Sequence, residues 1–84
     1  MPIDKTGCGF QINFKNGYTA SVIWGPGTYS DSHSVEVAAW NTADHLDWVH
    51  NEFIPPHDDV RGYLPLNELG AFLTSIANME NANA

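Results

Sequence analysis

Four histidines, His33, His45, His50 and His57, fall in one stretch of the chain together with Asp31, Asp44, Asp47 and Asp58. Imidazole and carboxylate are ligands for zinc and other divalent ions, so the first chemistry this stretch suggests is metal binding. The spacing matches no metal signature. No pair has the i, i+4 helical arrangement of HExxH, and the ligands would have to come from separate loops. The default reading is four histidines that face solvent or are hydrogen-bonded locally; a divalent ion held within one chain, or shared between two, is the alternative. The carboxylate pairs Asp58-Asp59 and Asp44 with Asp47 invite acid–base chemistry, because close like charges raise one pKa. Adjacent aspartates in a loop usually point apart into water, however. No nucleophile stands beside a base: Cys8 lies between two glycines, and neither GxSxG nor GxxxxGK[ST] occurs. The sequence therefore points away from an enzyme, and no cofactor beyond that ion is expected.

Charge narrows the partners. The 84 residues carry ten Asp plus Glu against three Lys plus Arg, a formal net charge of −7. Between Lys15 and Arg61 no basic residue occurs, whereas Asp31, Glu36, Asp44, Asp47, Glu52, Asp58 and Asp59 all do. Basic side chains at positions 5, 15 and 61 cannot neutralise a row of phosphates, which argues against direct DNA or RNA binding and against anionic membrane surfaces. A basic protein surface is the partner such a field attracts. Acidity that serves only solubility is the plain alternative. The aromatic residues Trp24, Trp40, Trp48, Tyr18, Tyr29 and Tyr63 fill the core by default. A tryptophan on an uncovered sheet face would instead mark a contact with a partner or a second copy, and Trp48 is the candidate. One cysteine closes no disulfide within the chain, and nowhere do about 18 apolar residues run together. The expectation is a cytoplasmic protein, neither exported nor membrane-spanning.

These side chains need elements to position them. Hydrophobic residues make up 43% of the chain, enough for a folded domain of small core. Phe10, Ile12 and Phe14 alternate with Gln11 and Asn13 before Asn16-Gly17, which predicts a hairpin with a type I′ turn flanked by Lys15 and Tyr18. The second strand places Tyr18, Ala20, Val22 and Trp24 on one face and Thr19, Ser21 and Ile23 on the other. Gly25-Pro26-Gly27 ends it. SVEVAAW predicts a third strand, with a short fourth around Leu46 to Val49, and Pro55-Pro56 breaks any element there. Pro65 stands as the first residue of a helix to about Met79, with Glu68 in its first turn and an apolar stripe of Leu66, Leu69, Phe72, Leu73 and Ile76. The expected fold is α+β: a three- or four-stranded antiparallel sheet packed against one C-terminal α-helix. It forms a single domain over residues 1–84, with residues 1–8 as an arm and 80–84 as a frayed tail.

The segments GFQINFKNGYTASVIWGPGTYS, VEVAAW and VRGYLPLNEL resemble a recurring pattern in short proteins encoded by phages and prophages. That pattern has a strand, NG, a second strand ending in WGPG-x-Y, an E-hydrophobic-A-x-W strand, and V-x-GY before a C-terminal helix. Two features depart from it: Leu64 precedes Pro65 where a hydroxyl or acidic N-cap is expected, a difference of about 1 kcal/mol, and positions 43–59 are longer and richer in histidine. The resemblance implies phage origin and the cytoplasm of an infected bacterium. Anti-CRISPR proteins are similar in size, charge and lack of catalytic motifs, and several occlude the basic channel in which a CRISPR effector complex holds DNA. It thus implies a non-enzymatic inhibitor that blocks target DNA, with Glu36, Asp44, Asp47, Trp48, Glu52, Asp58 and Asp59 on the basic surface. DNA mimicry and a steric block both remain open. The second expectation is a self-associating phage structural or accessory module, a homodimer through its open sheet, with histidines and aspartates bridging a metal between chains. A small hydrolase would need a concave pocket that a chain of this size barely permits.

Overall fold

A computed structural model describes residues 8–82. Five strands and one helix follow in order: β1 (Cys8–Asn13), β2 (Tyr18–Trp24), β3 (Ser34–Asn41), β4 (Asp44–Trp48), β5 (Arg61–Pro65) and α1 (Leu66–Ala77). The α+β class is as expected, with one strand more than the sequence suggested. The sheet is antiparallel in the order β1-β2-β3-β4, and β5 also pairs with β3. Strand β3 is thus the spine. Along one edge it meets β2 from Tyr18↔Asn41 to Ile23↔Glu36; along the other it meets β5 near Ser34–Val37 and β4 at Trp40 and Asn41.

The ladder fixes which face is buried. Ala20, Val22, Val35, Val37, Ala39 and Leu64 turn to one side and form the core with Phe72 and Ile76 of α1 and with Val49 and Ile54 of the β4–β5 connection. The helix packs over β2, β3 and β5 and does not reach β1. Of the expected stripe, Phe72 and Ile76 are buried and Leu69 and Leu73 partly so, but Leu66 is 51% exposed. No helix among the described residues is long and apolar enough to cross a membrane.

Several local expectations are corrected. Asn16 does not adopt a positive φ, and only Gly17 does (φ 91°), so the first turn is not type I′. Phe14 exchanges backbone bonds with both Gly17 and Tyr18, which makes a three-residue loop, Lys15 to Gly17, closed by a left-handed glycine. The cause lies sixty residues on: Asn16 Nδ2 donates to Ile76 O at 2.8 Å and also reaches Ala77 O and Met79 O. Its side chain adds hydrogen bonds at the carbonyl end of a helix that has no basic residue in its last turn, where Ile76 O also accepts the Met79 N–H. Pro65 is the N-cap and not the first helical residue, and the helix ends at Ala77, short of Met79. No side chain caps its start; the Leu66 N–H is taken by the backbone carbonyl of His33 at 3.0 Å. Cys8 belongs to β1 and not to an arm, and Ala82 N–H donates to Asn16 O at 2.8 Å, so the tail is tied at that point. The rest of the expected arm and the last two tail residues lie outside the described residues.

Strand β5 escapes sequence reading because its pairing slips. Val35 faces Leu64 but Val37 faces Arg61, leaving a bulge at Gly62-Tyr63 where Tyr63 takes φ 53°. A Cβ on Gly62 would come within 2.6 Å of the Tyr29 Cβ, and the Tyr63 N–H donates to Tyr29 O at 2.8 Å. Gly25-Pro26-Gly27 does end β2. Gly25 O accepts the Thr28 N–H at 3.1 Å and Gly27 has φ 86°, the geometry of a type II turn.

Candidate functional site

The β3–β4 hairpin carries the most specific geometry in the molecule. Asn41 pairs with Asp44, yet the next residue back along β3, Trp40, pairs with Trp48. One step on β3 is therefore matched by four on β4, and His45, Leu46 and Asp47 are looped out. Beyond the bulge the ladder resumes with Val49 N–H to Ala39 O at 2.9 Å.

Short polar side chains build this bulge. Asn41 Oδ1 accepts the Ala43 N–H at 2.9 Å and Asp44 Oδ1 accepts the Leu46 N–H at 3.1 Å, two Asx turns in series. Asn41 Nδ2 reaches across to Asp47 Oδ2 at 3.3 Å. The hairpin tip is tied to the β1–β2 loop by Thr42 N–H to Gly17 O at 2.8 Å. Thr19 Oγ1 donates to Asn13 Oδ1, so Thr42 Oγ1 supplies the proton for its 2.6 Å contact with Thr19 Oγ1.

Three rings stack behind the bulge. Trp40 and Trp48 meet edge to face at 5.6 Å; the His45 ring lies 4.6 Å from Trp40 and 5.4 Å from Trp48. Trp40 is buried and Trp48 half-buried, while Leu46 stands 82% exposed between Asp44 and Asp47, both exposed. An apolar knob on a hydrogen-bonded mount, flanked by two carboxylates, binds well to a surface that is recessed and basic.

The other expected site residues distribute unevenly. Asp44, Asp47 and Trp48 come together here. Glu52, Asp58 and Asp59 are exposed on the β4–β5 connection, which joins two strands that both pair with β3. Asp59 lies 3.4 Å from His50 Nε2 and Asp58 lies 3.5 Å from His57 Nε2. Glu36 is elsewhere: it is half-buried, and its Oε1 accepts the Tyr29 N–H at 2.8 Å, so it does not join the acidic face. The four histidines do not converge. The His45 ring packs tilted against Trp40 and edge to face with Trp48, His33 contacts Ser32 Oγ at 2.9 Å, and among the described residues no three His, Cys, Asp or Glu side chains form a metal-holding group. Arg61 does not balance the carboxylates, since its guanidinium donates to Phe53 O and Gly62 O.

Leu46 and Asn41 do not stand out by residue type, and Trp40 reads by default as core. The available signal was the pair of turn formers Asn41 and Asp44, each able to bond two residues ahead. Comparison with known protein families, with curated proteins and with solved structures gives no match.

Proposed function

We propose that this chain is a protein-binding module that seats the β4 bulge on a basic, nucleic-acid-handling partner, with Leu46 as the anchor and Asp44 and Asp47 as its charged flanks. A CRISPR effector complex is the target class that the phage-like sequence pattern suggests, and blocked access to DNA is the effect. The carrying observation is the three-residue bulge that leaves Leu46 82% exposed. A large aliphatic side chain held out by its own hydrogen-bonded mount loses little conformational freedom on docking. The negative charge of Asp44 and Asp47, with Glu52, Asp58 and Asp59 exposed on the connection that follows β4, steers encounter with a positive surface, an effect that weakens as salt rises.

The test is target-DNA binding by purified CRISPR effector complexes of several types, with the chain added at low and high salt. Wild type is expected to inhibit one of them. Leu46→Asp should abolish inhibition, and Asp44→Asn with Asp47→Asn should weaken it about tenfold and flatten its salt dependence. Full inhibition by both variants overturns the role of the bulge; undiminished DNA binding across the set overturns the target class.

A further inference from the structure

The opposite end of the sheet holds a second feature. An open groove of about 410 Å³ runs between β1, β2 and the first turn of α1, with walls of Phe10, Trp24, Val35, Leu66 and Leu69 and with Asp31 at its rim. Phe10, Trp24 and Leu66 are 41%, 38% and 51% exposed, and the Phe10 and Trp24 rings meet edge to face at 6.2 Å. The groove exists because α1 stops short of β1.

Two further facts select an occupant. Among the described residues, strand β1 is a free edge of the sheet. Phe14 is bonded inward to Tyr18, so the alternation of an antiparallel ladder turns the backbone N–H and C=O of Gly9, Gln11 and Asn13 outward, ready for another strand. Asp31 is fixed in place: its Oδ1 accepts the His33 N–H and the Ser34 hydroxyl, each at 2.8 Å. No ion pair among the described residues engages it. Apolar walls, two aromatic rings and one exposed carboxylate at the rim complement a side chain that is apolar along its stem and cationic at its tip.

We infer that this end of the molecule is a second binding site, for an extended partner segment that pairs with the outer edge of β1 and lays an arginine in the groove toward Asp31. Arginine fits better than lysine, because its planar guanidinium stacks on an aromatic face while hydrogen-bonding a carboxylate. Strand addition supplies main-chain affinity and the groove supplies selectivity. A second copy of this chain is the disfavoured occupant: β1 carries no arginine, and each copy brings a charge of −7.

The test uses synthetic six-residue peptides of alternating Thr and Val with one central Arg, Lys, norleucine or Glu, titrated into the full chain and followed by amide NMR shifts. The Arg peptide should move the Gly9 and Gln11 amides, and norleucine, which keeps the stem and loses the charge, should bind about tenfold more weakly. Asp31→Asn should erase that preference. Leu66→Lys should abolish binding by placing a positive charge in the groove, and Gln11→Pro should abolish it by removing an outward N–H that the internal ladder does not use. Leu46→Asp should leave it unchanged, so the two sites fail separately. Equal binding of the Arg and norleucine peptides, β1 amides unmoved by any peptide, or a stable dimer in which those amides are already protected would each overturn the proposal.

Discussion

The two ends of the sheet are built on different terms. At the end where β1 turns into β2, polar side chains close the structure: Asn16 holds the Ile76 and Ala77 carbonyls of the helix and the Met79 carbonyl just beyond it, and Thr42 ties the β3–β4 hairpin to Gly17 and Thr19. At the other end the helix begins with one backbone bond to His33 O, and Phe10, Trp24 and Leu66 remain in contact with water. Both ends display apolar side chains, for opposite reasons. Leu46 is exposed because hydrogen bonds hold it out; the groove is open because the helix does not reach β1. The first surface is a rigid knob and the second a receptive slot, and a chain too small for a deep core can present both.

The sharpest way to break this contrast is to remove the polar closure. Asn16→Ala removes the side-chain hydrogen bonds to the Ile76, Ala77 and Met79 carbonyls and should cost about 1.5 kcal/mol, the upper end of the usual net contribution of a hydrogen bond. Leu66→Lys at the other end should change stability by no more than about 0.5 kcal/mol, because the site is exposed. Urea denaturation of the two variants measures both. Equal losses would show that the two ends are held alike.

Next in size is excision of His45, Leu46 and Asp47. Asp44 would then precede Trp48 directly, and the pairs Asn41↔Asp44 and Trp40↔Trp48 would become neighbours in an unbroken ladder. The shortened hairpin should fold, losing about 1 kcal/mol from the missing ring contact between His45 and the tryptophans. Its predicted failure is in partner binding. Circular dichroism with thermal melting reads the fold; an unfolded product would mean that the bulge supports the sheet and is not an addition to it.

A smaller effect comes from Tyr63, whose φ of 53° is strained for an aromatic residue. Tyr63→Gly relieves the strain but gives up the tilted contact with Tyr29 at 6.5 Å and adds freedom to the unfolded chain. A net gain of up to about 1 kcal/mol is expected from the usual cost of such strain. Lost stability would mean that the Tyr29 contact outweighs it.

These residues also show where sequence reading stops. The α+β class, the first hairpin and the helix are legible because period-two and three-to-four spacing are local signals. The turn type at Asn16 is not, because the asparagine is recruited by carbonyls sixty residues away. Strand β5 is hidden by the slip at Gly62-Tyr63, which breaks the alternation that marks a strand. At the site, Asp44, Asp47 and Trp48 are identifiable by type, but the prominence of Leu46 is a property of strand register and leaves no mark in composition. Leu66 shares the helical spacing of Phe72 and Ile76, yet spacing cannot say how far a helix reaches across its sheet. Glu36 shows the converse: counted among the acids by charge, it is occupied by the Tyr29 amide.

The smallest expected effect separates the two ends by pH. The His33 amide, and after it the Ser34 hydroxyl, hold the Asp31 carboxyl below the ordinary aspartate pKa, because both hydrogen bonds favour the charged form. A group whose pKa is lower folded than unfolded contributes stability above its unfolded pKa, and that contribution is lost as pH falls through the folded value. Acid should therefore loosen the Asp31–Ser34 turn and with it the groove rim, while the amide-to-carbonyl bonds of Asn16 at the other end do not titrate. Carbon NMR of the carboxyl should place the Asp31 midpoint below that of a free aspartate. Across the same range the His33 amide should lose hydrogen-exchange protection before the amides of β2 and β3 do. An ordinary midpoint for Asp31, or loss of protection at both ends together, would mean that the rim is not separately built and that one cooperative unit spans the whole sheet.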